Sequence, residues 1–106
     1  MGPPQLFSAV LLHLIAQKPD HGYGIMDRME AVCGEVMTAG TNRIYPALQR
    51  LEDRGWIAAA WGTSSNNRRA RFYRLTRLGR RQLVRESSRW RRMAAAIGRV
   101  LGPETS

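Results

Sequence analysis

Arginine dominates the chemistry this chain can do. Twelve arginines fall in residues 56–106 against only Glu86 and Glu104, and eleven of the twelve lie between Arg68 and Arg92. Side chains of one sign held so close repel one another unless a counter-charge meets them, so the pattern calls for a polyanion or an acidic partner. Residues 1–55 hold five basic side chains (Lys18, Arg28, Arg43, Arg50, Arg54) and six acidic ones, so the formal net charge of +9 comes from the second half. Groups suited to covalent chemistry are scarce by comparison. The histidines are His13 and His21 and the one cysteine is Cys33; no histidine, cysteine or carboxylate recurs at metal-ligand spacing. Nor does Gly22-x-Gly24 sit in a strand-turn-helix setting that would cradle a phosphate. The expectation is no enzyme, no metal and no cofactor. A lone cysteine makes no internal disulfide, which fits the cytoplasm as the expected compartment.

These side chains need a scaffold, and 106 residues with 43% hydrophobic content fit one folded domain. The apolar run Val10–Ala16 falls far short of the roughly 18 to 20 residues that cross a bilayer, so no membrane segment is expected. From Gln5 to Gln17, Leu6, Val10, Leu11, Leu14 and Ile15 recur at spacings of three and four, which predicts a largely buried first helix. Pro19 stops it, and Asp20 is placed to accept from the free N–H groups of a second helix. That helix carries Tyr23, Met26, Met29, Val32 and Cys33 on one side and ends near Gly34. His13 and Cys33 lie on or beside these apolar faces and read as packed core side chains. Thr38–Asn42 forms a turn and cap before a third helix over about 42–54, with Ile44, Ala47, Leu48 and Leu51 facing inward and Gly55 as the stop. Pro46 fits best if Asn42 is the cap.

The period then falls from 3.6 to 2. Trp56–Trp61 and Arg71–Leu75 read as two strands of a hairpin with a polar tip at 62–70, their aromatics Trp56, Trp61, Phe72 and Tyr73 expected mostly in the core. From the cap Thr76 a long helix runs to about Leu101. Leu83, Trp90 and Ile97 are spaced by seven, with Ser87, Ala94 and Leu101, or Met93 and Val100, between them: a narrow seam of the kind that packs on a helix of a second copy. The fold class expected is therefore mainly α with a small β-hairpin, a winged helix-turn-helix followed by a C-terminal dimerisation helix. Residues 1–75 form the DNA-binding part, 76–101 the dimerisation helix of the same compact domain, and 102–106 a flexible tail.

That architecture assigns roles. A major groove about 12 Å wide admits one helix and is read mainly from its first turns, here Thr41, Asn42, Arg43, Tyr45, Pro46 and Gln49, with Arg50 also outward. Arg43 can fork onto guanine and Gln49 can pair with adenine, while Tyr45 suits a phosphate. Arg68, Arg69 and Arg71 on the wing would follow phosphates or enter the minor groove. An alternative, a basic protein that coats nucleic acid without regard to sequence, needs a continuous basic groove with stacking aromatics. A membrane-surface role for 76–101 leaves the hairpin and third helix unexplained.

Three ordered motifs resemble the PadR-type transcriptional regulators over roughly Leu11 to Met93. His21-Gly22-Tyr23-Gly24-Ile25 is similar to the family's H-G-Y-E-I. Ile44-Tyr45-Pro46-Ala47-Leu48-Gln49-Arg50-Leu51-Glu52-Asp53-Arg54-Gly55-Trp56-Ile57 is similar to its L-Y-P-A-L-x-R-L-E-x-x-G-x-I. Arg68-Arg69-Ala70-Arg71-Phe72-Tyr73-Arg74-Leu75-Thr76-Arg77-Leu78-Gly79-Arg80 is similar to its R-R-x-Y-Y-x-L-T-x-x-G wing and start of the last helix. Gly24 stands where the family has an acid, which should loosen the start of the second helix and leave that charge role empty. The resemblance implies a homodimer in which the last helix packs on the first and last helices of the other copy, through Leu6, Val10, Leu83, Ser87, Trp90, Met93, Ala94, Ile97 and Leu101. It also implies a near-palindromic double-stranded DNA operator, repression, and for some relatives a flat aromatic effector stacked on a residue placed like Trp90.

Overall fold

The chain forms seven elements in a computed structural model that describes residues 4–34 and 40–102. In chain order they are α1 (Pro4–Gln17), β1 (Asp20–His21), α2 (Gly22–Cys33), α3 (Thr41–Asp53), β2 (Ile57–Thr63), β3 (Arg69–Leu75) and α4 (Arg77–Leu101). The expected turn at Thr38–Ala39, the tail beyond Gly102 and the side chain of Thr41 lie outside the described residues.

α1 is the hub. It touches α2, α3, α4 and β3, which is why it is apolar over most of its circumference. Leu11, Leu12 and Ile15 from α1, Ile25 and Met29 from α2, Ile44, Leu48 and Leu51 from α3, and Ile57 from β2 are fully buried in one core. Each such side chain is worth about 1.5 to 3 kcal/mol relative to exposure, so the amphipathic faces lock α2 and α3 into one fixed angle.

The local signals differ from expectation in four places. First, Asp20 does not cap α2. It belongs to a two-residue strand, and the cap is His21, whose Nδ1 accepts from the Gly24 N–H at 3.1 Å. Second, the sheet has three antiparallel strands in the order β1-β3-β2, with Asp20 opposite Tyr73 and His21 opposite Phe72. Two residues between two helices carry no periodicity from which a strand could be read. Third, Gly40 rather than Asn42 caps α3, without a side-chain bond. Pro46 therefore stands in the second turn, where its missing N–H leaves the Asn42 carbonyl without an intrahelical donor. Fourth, the strands are longer than their aromatic cores suggested and the tip correspondingly shorter: β2 and β3 pair from Ile57 with Leu75 out to Thr63 with Arg69. The Ser64 N–H closes the loop on the Arg68 carbonyl at 2.8 Å, with Asn67 left-handed at φ 59°. Thr76 caps α4 as expected, accepting from the Gly79 N–H at 3.0 Å.

Candidate nucleic-acid interface

A cleft of about 750 Å³ opens between the start of α2, the middle of α3 and the hairpin. Tyr45 and Gln49 form its α3 wall, Arg68, Arg69 and Arg71 its hairpin wall, and His21 to Tyr23 its floor. Packing explains why those types stand there. A Cβ at Gly22 would lie 2.6 to 2.7 Å from the Tyr45 ring, so only glycine lets α3 bring Tyr45 over the start of α2. The ring then meets Tyr23 edge-on at 6.5 Å. Burial, with the phenols of Tyr23 and Tyr73 nearby, raises the Tyr45 pKa above its ordinary 10.0, so the hydroxyl stays a neutral donor at physiological pH.

Gly24 has the same logic. A Cβ there would collide with the Asp20 carboxylate. That carboxylate accepts from the His21 N–H at 2.8 Å and faces Arg28 Nε at 3.5 Å, while Arg28 also donates to the Lys18 carbonyl at 2.8 Å. A carboxylate thus stands against position 24 after all, but it comes from Asp20 in β1, and its bonds to His21 and Arg28 tie that strand to α2.

The expected contact residues fall into distinct states. Asn42, Pro46 and Arg50 are exposed on α3. Gln49 is exposed and donates to Asp53 Oδ1 at 2.9 Å. Arg43 turns back toward α1, its guanidinium 4.3 Å from the centre of the Phe7 ring. Arg68 is exposed at the tip, and Arg69 lies 4.6 Å over the Trp61 ring. Arg71 donates to Glu52 Oε2 at 2.8 Å, an ion pair that ties β3 to α3. Glu52 Oε1 is buried without a partner among the described residues. Trp61 is 60% exposed, against the expectation of a core aromatic, because β2 outruns the core toward the tip; Tyr73 alone of the four aromatics is fully in the core, while Trp56 and Phe72 are half-buried. The sequence assigns no ligand contact to His21, Tyr23, Asn66 or Glu52, and it gives Tyr23 and Trp61 to apolar faces that the structure leaves exposed. The H-G-Y motif was the signal for the first two, and the sequence carried none for the others.

The seam residues also divide. Leu83 packs on the core, and Ser87 Oγ meets His13 Nε2 at 2.7 Å while His13 Nδ1 donates to the Ala9 carbonyl at 2.7 Å. Trp90 donates from Nε1 to the buried carboxylate of Glu86 at 3.2 Å, whose other oxygen accepts from Gln82 at 2.9 Å. Beyond Trp90 the seam is bare: Met93, Ala94, Ile97, Val100 and Leu101 are exposed. Leu6, Val10, His13, Val32, Cys33 and Trp90 line an apolar groove of about 260 Å³ between α1, α2 and α4.

Helices α2 and α3 joined at a fixed angle, a two-stranded wing beyond them and a cationic cleft between define a winged helix-turn-helix protein. The chain matches the model of the transcriptional regulator PadR-like family over residues 11–85. It belongs to that family, whose members are DNA-binding transcription regulators. It is 28% identical over 82 residues to an uncharacterised protein of Lysinibacillus sphaericus, covering 77% of this chain and 75% of that one. The crystal structure of a PadR-like transcriptional regulator from Bacillus cereus superposes with a TM-score of 0.83 at 22% identity, over 94% of this chain and 95% of the other. A PadR family transcription regulator from Clostridium difficile gives 0.76 at 24% identity, over 90% and 97%. Both likenesses are of fold. None of the described helices is long and apolar enough to cross a membrane.

Proposed function

We propose that the chain is a homodimeric repressor that reads a near-palindromic operator through two copies of α3. The observation that carries this reading is the cleft, because it sets Tyr45 and Gln49 of α3 and the arginine tip of the wing on one concave surface. In a major groove Asn42, Tyr45, Pro46 and Gln49 face the duplex, Arg50 reaches a phosphate, and Arg68 and Arg69 follow the flanking backbone. Gln49 suits adenine; Arg43 reaches guanine once it leaves Phe7. Thr41 contributes at the helix start.

The bare half of the α4 seam supports the dimer. Met93, Ile97 and Leu101 on one face, continued by Trp90, Val10 and Leu6 along the groove, make an apolar strip that a second α4 would cover. Ala94 widens the exposed strip, and Leu83 and Ser87, half-buried against this chain's own core and His13, border it. The groove beside Trp90 suits a flat aromatic effector, since an indole and aliphatic walls reward planar apolar ligands. The regulator acts in the cytoplasm, where its DNA is.

Two measurements test this. Sedimentation should give twice the monomer mass of 12.0 kDa. Duplexes selected from random sequence should be near-palindromic and bind at least about 1000-fold more tightly than scrambled ones at 150 mM salt. Equal affinity for selected and scrambled duplexes would leave the sequence-independent coating role as the correct one. An effector would quench Trp90 fluorescence and release the operator together.

A further inference from the structure

The arginines of α4 are too many, and wrongly placed, for the cleft. At 3.6 residues per turn Arg77, Arg81, Arg85, Arg92 and Arg99 fall within about 80° of one another around the helix, and the first and last are about 33 Å apart along it. All five are exposed. They form a straight cationic ridge. The apolar seam of Leu83, Trp90, Ile97 and Leu101 lies on the opposite side of the helix, and so does Glu86, the one acid of α4, which is buried against Gln82 and Trp90. Among the described residues, every arginine–carboxylate ion pair is made by Arg28 or Arg71, so no described acid neutralises the ridge.

Nor does the ridge belong to the cleft. α4 starts beside the C-terminal end of α3, where Thr76 donates to the carbonyls of Gly55 and Trp56 at 2.6 and 3.0 Å. No described residue of α4 lines the cleft, whose α3 wall is Tyr45 and Gln49, and α4 packs chiefly against α1.

We propose that this ridge is a second, sequence-independent phosphate-binding surface that holds a separate segment of double-stranded DNA while α3 occupies its own site. Duplex DNA fits because it offers one negative charge per about 1.7 Å of axis along a straight cylinder, so 33 Å of ridge can meet phosphates over its whole length. Guanidinium groups bind phosphate bidentately and remain charged at any accessible pH. Such a protein would bridge an operator to a distant stretch of the same molecule. The inference rests on the proposed reading of α3 only for the identity of the first site.

The test saturates immobilised selected duplex with the full-length protein, washes, and measures retention of a second, fluorescent duplex of unrelated sequence at about 100 mM salt. The wild type should retain it. The triple variant Arg81→Gln, Arg92→Gln, Arg99→Gln, which keeps good helix formers on an exposed face, should retain at least about tenfold less, with the salt slope of retention reduced by about 2 to 3 units. Its affinity for the first duplex should stay within twofold. Circular dichroism melting confirms that the variant is folded; were it not, Arg92→Gln alone should reduce retention with a slope change near 1. Three results overturn the ridge: a wild type that captures no second duplex, a variant that loses both duplexes alike, and capture of anionic lipid vesicles in place of DNA. If scrambled and selected duplexes bind the first site equally while capture persists, the reading of α3 fails and the ridge stands.

Discussion

Alanine at a helical glycine ordinarily stabilises a protein, and Gly24→Ala should do the reverse here. Gly24 is the third residue of α2, where the gain from removing glycine's backbone freedom is about 0.5 kcal/mol, near the lower end for helix positions. Against it stands the Asp20 carboxylate, which occupies the space a Cβ needs. The Asp20 side chain is only 14% exposed, so it has little freedom to retreat. Displacing it strains its bond to the His21 N–H and its approach to Arg28. A hydrogen bond to a charged group contributes about 1.5 to 3 kcal/mol; taking the lower figure, the net effect of Gly24→Ala is a loss of about 1 kcal/mol. In an Asp20→Ala background the obstacle is gone, and the same substitution should stabilise by about 0.5 kcal/mol. The two substitutions are therefore coupled by about 1.5 kcal/mol, far above the additivity error of independent sites. Urea unfolding of the four proteins, with equal slopes as the check on two-state behaviour, measures the cycle. In heating experiments the single variant should melt about 4 to 8 °C lower. If Gly24→Ala stabilises wild type and Asp20→Ala proteins equally, Asp20 does not fill the place of the absent acid and the account of the α2 start is wrong.

Glu52→Gln frees Arg71 from its ion pair. Both groups are partly exposed, at 26% and 38%, so unfolding stability should change by less than about 1 kcal/mol, while affinity for every duplex rises and the salt slope steepens by about 0.9. Weaker binding to all duplexes would show instead that the pair sets the wing angle. Arg69→Ala should weaken selected and scrambled duplexes alike and flatten the salt dependence by about one unit, whereas Gln49→Ala should change which sequence is preferred; competition titrations separate the two. Burial, in part offset by Arg71 and reinforced by Glu52, holds the Tyr73 pKa above 10.0. The fold therefore favours the protonated phenol. The stability this confers is complete below pH 10 and is lost as pH rises through the higher folded value. Urea midpoints from pH 8 to 11 should fall at the alkaline end, and Tyr73→Phe should lessen the fall.

Periodicity exposed most of the fold. The stripes at Leu11–Ile15 and Ile44–Leu51 gave α1 and α3 because burial on one side leaves a mark every three or four residues. β1 left no such mark: it exists because β3 offers an edge to whatever chain follows Pro19. The caps were harder still. Asp20 and Asn42 are good capping types, but the first is drawn into the sheet and toward Arg28, and the second falls inside a helix begun at Gly40. For the interface, the sequence marked α3 and the hairpin, which share the cleft, but not the state of each side chain. Nothing in a string of letters says that Arg43 rests on Phe7 or that Arg71 is already paired.

Those states rank the contact residues by the cost of recruiting them to DNA. Arg50 and Arg68 are exposed and make no side-chain hydrogen bond or ion pair among the described residues, so they meet phosphate at no internal cost. Gln49 must leave Asp53, an exposed pair four residues apart on one helix and worth about 0.2 to 0.5 kcal/mol. Arg43 and Arg69 must each leave an aromatic face, about 0.5 to 1 kcal/mol at exposed sites. Arg71 must part from Glu52, leaving a carboxylate with one oxygen already unpartnered and buried, which makes it the last to move. On the proposed reading, free arginines thus govern encounter with any duplex, and the base-reading side chains are released only where a matching base repays them. A mismatched site then costs twice, once in the missing hydrogen bond and once in the internal contact given up for nothing, so the parked side chains sharpen discrimination even as they weaken absolute affinity.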